Sequence, residues 1–208
     1  MDIQLRNVSK KFENKPILQD FNLNVEKGDM IAITGQSGTG KSTLLNIIGL
    51  LDKPDSGEVI IQGTVNAFSK EKKTTMLLRN TIGYLFQNYA LIEQETVSRN
   101  LDIALAYTKS ADKRKLKRLA LERVGLLDKM NNKVYQLSGG EQQRVALARL
   151  MLKKNDIILA DEPTGSLDEL NRNHILEILR GLNEEQKTII IVTHDPEVAR
   201  QCKRVINL

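Results

Sequence analysis

The 208-residue sequence predicts an α/β fold: a core of mainly parallel strands, an N-terminal antiparallel β subdomain and a helical insertion subdomain. Three observations carry this. The runs MIAIT (30–34), DIILA (156–160) and TIIIVT (188–193) are short and almost wholly apolar, as strands buried on both faces of a parallel sheet are. Helical periodicity fills the intervals at 41–50, 111–124, 141–153 and 168–182. The opening segments IQLRNV and ILQDFNLNV instead alternate apolar with polar residues, the pattern of antiparallel strands with one wet face.

Taken in order, the antiparallel pair comes first, then MIAIT and a helix from residue 41, then DKPDSGE (52–58), which reads as a turn. Between about 88 and 137 the sequence carries helix-type stretches such as VSRNLDIALAY and KLKRLALERVGLL and no dense strand run. This is the predicted helical subdomain. Residues 1–87 and 138–208 form the α/β core, and the whole of 1–208 is expected to be one domain. No repeat and no low-complexity linker interrupts it.

Composition narrows the function classes. A single cysteine, Cys202, excludes an internal disulfide and a cysteine-built zinc site. Aromatics at 4% with no tryptophan argue against a stacking platform for single-stranded nucleic acid. The start, MDIQLRNVSKKF, lacks the apolar core of a signal peptide. LLNIIGLL and TIIIV fall far short of the ~20 residues of a membrane span. A soluble chain is expected, with any membrane role supplied by a partner. The net charge of +5 suits phosphate ligands, nucleic acid or an anionic membrane alike. The run KSADKRKLKR (109–118) is either a solvated helix face or a contact for anionic lipid headgroups.

MIAIT is followed by GQSGTGKS (35–42) and then TLLNIIGLL. Strand, G-x-x-x-x-G-K-[ST], helix is the nucleotide P-loop in the context it requires. Gly35, Gly38 and Gly40 let the chain curl so that the N–H groups of Gln36, Ser37, Thr39 and their neighbours point inward. The helix mouth adds its positive dipole end. Lys41 reaches the β/γ-phosphates, the Ser42 hydroxyl can ligate Mg²⁺, and Thr43 continues the cradle into the helix.

DIILADEP places Asp161 and Glu162 just past a buried strand, at the carboxyl edge where open α/β sheets hold ligands. Neighbouring strand residues face opposite ways, so the two carboxylates take different tasks: Asp161 toward the metal, Glu162 toward an attacking water as general base. His194 ends TIIIVTH at the same sheet edge and is either structural or a hydrogen-bonding partner of the γ-phosphate or the water. His174, within a helical pattern, reads as surface.

LSGGEQQR (137–144) precedes an amphipathic helix. Ser138 and Glu141 form a capping box, yet the helix opens on Gly139 and Gly140, each costing up to about 1 kcal/mol against alanine. A helix mouth binds anions, and glycines remove side chains that would hold a phosphate away. Ser138 can serve both cap and phosphate. Either the fold brings this second cradle to the P-loop or it serves a nucleotide on another molecule; the residues alone leave both open.

GQSGTGKS, DIILADE and LSGGEQQR, in this order, resemble the nucleotide-binding subunit of an ABC (ATP-binding cassette) transporter, over nearly the whole chain. The resemblance implies a homodimer arranged head-to-tail on two ATP with Mg²⁺. In it Ser138, Gly139, Gly140 and Glu141 of one copy would meet the γ-phosphate held by the other's P-loop. It also implies a Mg²⁺-dependent ATPase with Lys41, Glu162 and His194 as catalytic residues, His194 matching the switch histidine. Gln87, ending IGYLFQ, matches the Q-loop glutamine and joins Ser42 and Asp161 as metal residues. GSLD (165–168) matches the D-loop, so Ser166, Leu167 and Asp168 would cross the dimer. Phe12 falls where the family stacks an aromatic on adenine; read alone, it belongs to the core of the first hairpin.

LNIIGLLDKPDSGEVIIQG and ADEPTGSLD are similar to ATPases of macrolide, lipoprotein and bacteriocin exporters. This implies an integral membrane permease as partner, export of peptide, bacteriocin, lipoprotein or drug, and a cytoplasmic position on the inner face of the cell membrane. The alternative is a non-transporting ABC ATPase that signals through a membrane partner, as in cell division. No nucleic-acid partner is expected. The sequence stops at RVINL, where many relatives continue, so regulation from such a region is not expected.

Overall fold

The structure, a computed structural model, describes residues 1–13, 15–109, 112–165 and 167–208. Among them, β1 (Ile3–Phe12), β2 (Lys15–Val25), β4 (Ser56–Ile61) and β5 (Thr64–Val65) form an antiparallel sheet in the order β2-β1-β4-β5. A parallel sheet follows the order β6-β7-β8-β3-β9, built from β3 (Met30–Thr34), β6 (Ile82–Leu85), β7 (Ile157–Asp161), β8 (Thr188–Val192) and β9 (Arg204–Asn207). The three dense apolar runs are its three inner strands, sheltered on both faces and both edges. The edge strands IGYL and RVIN are shorter or more polar, which is why neither stands out in the sequence.

Side chains alternate across this sheet. Ile158, Ala160, Ile189 and Ile191 face one hydrophobic core. Ile157, Leu159, Ile190, Val192, Ile31 and Ile33 face another. The second core is closed by α1 (Lys41–Ile48) and the antiparallel sheet. The first is closed by α5 (Gly139–Leu152) and α6 (Glu169–Glu184), with α7 (Pro196–Arg200) beside them. Truncating any of these isoleucines to alanine should cost about 2–5 kcal/mol.

The segment read as helical holds α3 (Val97–Ala104) and α4 (Lys113–Arg123). Their apolar faces, through Val97, Leu101, Ala120 and Leu121, pack with Val145 and Leu147 of α5. Within the basic run, Lys117 turns inward and pairs with Asp102 at 2.9 Å and Ser98 Oγ at 2.7 Å, joining α4 to α3. Arg114, Lys115 and Arg118 are exposed. Positions 110 and 111 of that run lie outside the described residues.

Several boundaries differ from expectation. The 52–58 turn gives way to β4 at Ser56. Gly57 permits this, since a Cβ there would run into the backbone of Arg6 and Asn7 on β1. An unexpected helix, α2 (Glu71–Asn80), buries only Leu77 and so shows no apolar stripe. α1 ends at Ile48, while α6 extends to Glu184. No helix among the described residues is long and apolar enough to cross a membrane.

Candidate functional site

The loop 35–40 joins β3 to α1, and its geometry explains its glycines. At Gly40 φ is 98°, and a Cβ would collide with the Ile17 side chain on β2. At Gly35 a Cβ would lie 2.5 Å from the carbonyl oxygen of Leu208. The first turn of α1 has no side-chain cap and no acidic residue, so its orphan N–H groups keep their appetite for an anion. Lys41 is buried, and its Nζ donates to the carbonyls of Gly35 and Gln36, both at 2.9 Å. Thr39 closes the same turn, N and Oγ1 donating to Gln36 O at 3.3 and 3.0 Å.

Ser42 Oγ donates to Asp161 Oδ1 at 3.1 Å. Burial raises the Asp161 pKa and the Glu162 charge adds to that, against the Ser42 hydrogen bond and the Lys41 charge. A carboxylate so placed gains from any cation brought to it. Among the described residues no cluster of three or more His, Cys, Asp or Glu forms a metal cage. The donors on offer are oxygens, from Ser42, Asp161 and Gln87, of the kind that Mg²⁺ takes alongside phosphate and water.

Glu162 leaves the strand abruptly, with φ 45°, and its N–H donates to Val192 O at 2.9 Å. Left-handed backbone at a residue with a side chain costs about 1–3 kcal/mol and clusters at functional sites. The turn re-aims the carboxylate: Oε1 meets His194 Nδ1 at 2.8 Å, while Oε2 is buried with no partner. An unpartnered buried carboxylate oxygen is costly, and it is the atom a general base would offer to water.

Most of these parts line one cleft of about 470 Å³; Gly35, Gln36, Thr39 and Asp161 are not among its lining residues, Asp161 joining it through Ser42. Ser37, Gly38, Gly40, Lys41, Ser42 and Thr43 line it together with Gln87, Glu162, His194 and Phe12. Gln87 follows β6 and is exposed. Phe12, at the end of β1, is 51% exposed, so it is no hairpin core residue. Its ring has Lys10 Nζ 5.4 Å from the centroid, and Lys10 is itself fixed to Asp52 at 2.8 Å. Ile17 and Val192 also line the cleft; as ordinary apolar strand residues they carry no sequence signal.

Ser138, Gly139, Gly140 and Glu141 do not line this cleft. They form a closed capping box: Glu141 N donates to Ser138 Oγ at 3.3 Å and Ser138 N to Glu141 Oε2 at 2.8 Å. The two glycines differ. Gly139 is exposed, and a Cβ there would meet only Tyr89 Oη, at 3.7 Å. Gly140 is buried, and a Cβ there would lie 2.7 Å from Asn171 Cγ and Oδ1. Gly140 thus has a packing reason that the sequence did not disclose.

Asn171 also ties this mouth to the 165–168 segment. Its N and Nδ2 donate to the two oxygens of Asp168, each at 2.8 Å, and its Oδ1 accepts from Arg144 of α5. The Asn171 backbone N–H, then its side chain, hold the Asp168 pKa below the usual value. Leu167 is half-buried against the α5–α6 core; Ser166 lies outside the described residues. Asn171, missed in the sequence, lies three residues past Asp168 at a spacing that a capping search reaches. His174 is half-buried in α6, its Cε1 3.9 Å from where a Cβ on Gly125 would lie.

The family model described as ABC transporter matches residues 18–165. The chain belongs to the ABC transporter family. It is 41% identical to the ABC transporter ATP-binding protein YvrO of Bacillus subtilis, over 98% of this chain and 92% of that one. The macrolide export ATP-binding/permease protein MacB of Bartonella quintana is 41% identical over 98% of this chain, which spans 32% of MacB's length. Among solved structures, the dimeric bacterial ABC transporter cassette MJ0796 superposes with a TM-score of 0.90 at 41% identity, covering 99% of this chain and 94% of that one. A dimeric post-hydrolysis state of MJ0796 bound to ADP and Pi matches with TM-score 0.90, 40% identity and the same coverage. The chain is thus an ABC ATPase cassette, and the fold is that of the P-loop NTPases.

Proposed function

We propose that this chain binds and hydrolyses ATP with Mg²⁺, two copies closing head-to-tail on two ATP and driving a separate integral membrane permease in export. One observation carries the reading: the uncapped α1 mouth opens into the cleft beside Glu162, whereas the glycine mouth of α5 lies outside it. Two anion cradles that do not share a cleft within one chain suit a phosphate held between two chains.

The triphosphate would lie on the N–H groups of residues 35–42, with Lys41 exchanging its loop carbonyls for phosphate oxygens. Ser42, Asp161 and Gln87 would hold Mg²⁺, whose charge would offset that of the phosphates. Glu162 Oε2 would accept a proton from the attacking water. His194, bonded to Oε1 through Nδ1, holds that carboxylate and keeps Nε2 for the phosphate or the water. Phe12 would stack on adenine. From the partner copy, Ser138, Gly139 and Gly140 would cap the γ-phosphate, with Glu141 releasing Ser138, and the segment of Ser166, Leu167 and Asp168 would cross the interface. Loss of the bridging phosphate then opens the pair.

Residues 1–87 and 138–208 serve as the catalytic part and about 88–137 as the helical part of one nucleotide-binding domain. A groove of about 770 Å³ beside the Gln87 loop, lined by Leu78, Tyr84, Phe86, Ile103, Tyr107 and Arg149 among others, is mainly apolar and suits a segment of the permease. MacB, named as an export ATP-binding/permease protein, supports export of a drug or, as in the exporters of similar sequence, a peptide, bacteriocin or lipoprotein. The chain would sit at the cytoplasmic face of the membrane.

Glu162→Gln tests this. With ATP and Mg²⁺ the variant should elute as a dimer on gel filtration and lose about 10²-fold or more of its turnover. A monomer with undiminished ATPase activity overturns the reading. Co-purification from membranes identifies the permease, and transport by the reconstituted pair separates an exporter from a signalling ATPase.

A further inference from the structure

The backbone after Gln87 takes an unusual course. Tyr89 and Ala90 stand at φ 60° and 49°, two successive left-handed residues, neither of them glycine. L-residues adopt this conformation only when their surroundings impose it. Here the carbonyl oxygens of both accept from one guanidinium: Arg149 Nη2 donates to Tyr89 O at 2.7 Å, and Nη1 donates to Ala90 O.

Arg149 is a strange residue to find there. It is largely withdrawn from water, which lowers its pKa, and no carboxylate pairs with it among the described residues. Its charge is met by backbone oxygens of this turn. The planar fork reaches two carbonyls at once, a geometry that a lysine ammonium does not reproduce. Two further contacts extend the connection. Tyr89 packs against the α5 core and brings its hydroxyl beside Gly139 at the helix mouth. Arg149 and Ala90 both line the apolar groove.

We propose that Arg149 is a positioning residue for the hydrolytic reaction. It clamps Tyr89 and Ala90 in their left-handed turn and thereby sets Gln87 in the nucleotide cleft. Because it lines the groove as well, an occupant there reaches Gln87 and the α5 mouth through this one side chain. The inference rests on Gln87 serving the metal, as read above.

The test uses the full chain with three variants: Arg149→Lys, Gln87→Ala and Ala90→Val. Ala90→Val leaves Arg149 in place but puts a β-branched residue, an outlier at positive φ, in the exposed turn, so it decides the matter if Arg149→Lys fails to fold. Two quantities are read: amide hydrogen exchange at Tyr89 and Ala90, and the affinity for a fluorescent ATP analogue with and without Mg²⁺. Losing one charged hydrogen bond corresponds to roughly a tenfold effect. Arg149→Lys and Ala90→Val should therefore exchange about tenfold faster at these amides and lose about tenfold of the affinity gained from Mg²⁺, with Mg²⁺-free affinity unchanged. Adding Ala90→Gly to Arg149→Lys should restore most of the gain, since glycine takes positive φ freely.

Faster exchange with the full Mg²⁺ gain would make Arg149 a brace of the fold and overturn the proposal. So would unchanged exchange, or failure of Ala90→Gly to restore the gain. If Gln87→Ala itself keeps the full gain, the metal reading of Gln87 falls and the proposal falls with it. If Gln87→Ala loses the gain while Arg149→Lys and Ala90→Val keep it, only the Arg149 inference falls.

Discussion

Two helices, α1 and α5, have glycine at their mouths, and they solve the problem of their exposed N–H groups in opposite ways. α1 begins after Gly40 with no side-chain cap, and its nearest cation, Lys41, bonds the loop's own carbonyls. α5 begins after Ser138 with both halves of a capping box in place. The first mouth is incomplete without an anion; the second is complete without one and must give up a cap to receive one. The difference sets what each mouth would give up on meeting phosphate, as proposed: at α1 the bonds of Lys41 to the loop carbonyls, at α5 the cap from Ser138.

Lys41→Ala attacks the comparison at its strongest point. It should cut ATP turnover by at least about two orders of magnitude, measured by steady-state ATPase assay; normal kinetics would remove the loop from the site. The glycines of α5 come next. Gly140→Ala must push aside Asn171 and should lower stability by about 1–3 kcal/mol in denaturant unfolding. Gly139→Ala meets no such obstacle and should leave stability equal or raise it by up to about 1 kcal/mol, yet depress turnover. Equal losses of stability would mean that both glycines serve packing alone. Ser138→Ala is the gentlest change, removing a cap worth about 0.5–2 kcal/mol. If unfolding shows that loss while ATPase activity is unchanged, the mouth of α5 is only capped and meets no phosphate.

Legibility in the sequence followed shelter. β3, β7 and β8 are inner strands, so their side chains on both faces must be apolar and the runs announce themselves. β6 and β9 lie at the edges, and α2 buries only Leu77, so there was little pattern to read. In the site, residues that act through spacing along the chain were visible: the loop of 35–42, the Asp161–Glu162 pair, and Ser138 with Glu141. Residues that act across the fold were not. Gly140 against Asn171, and Arg149 against the carbonyls of Tyr89 and Ala90, join positions far apart in sequence through contacts that no local periodicity encodes.

The place of β3 carries a consequence for the order in which the molecule is made. The strand that ends in the phosphate loop comprises residues 30–34, but its neighbours are β8 and β9, at residues 188–192 and 204–207. A nascent chain leaving the ribosome therefore holds its phosphate loop well before the strands that steady it, a long-range closure of the kind that slows folding. Until those last strands arrive, β1 and β2 can pair, but β3 has no partner in the sheet.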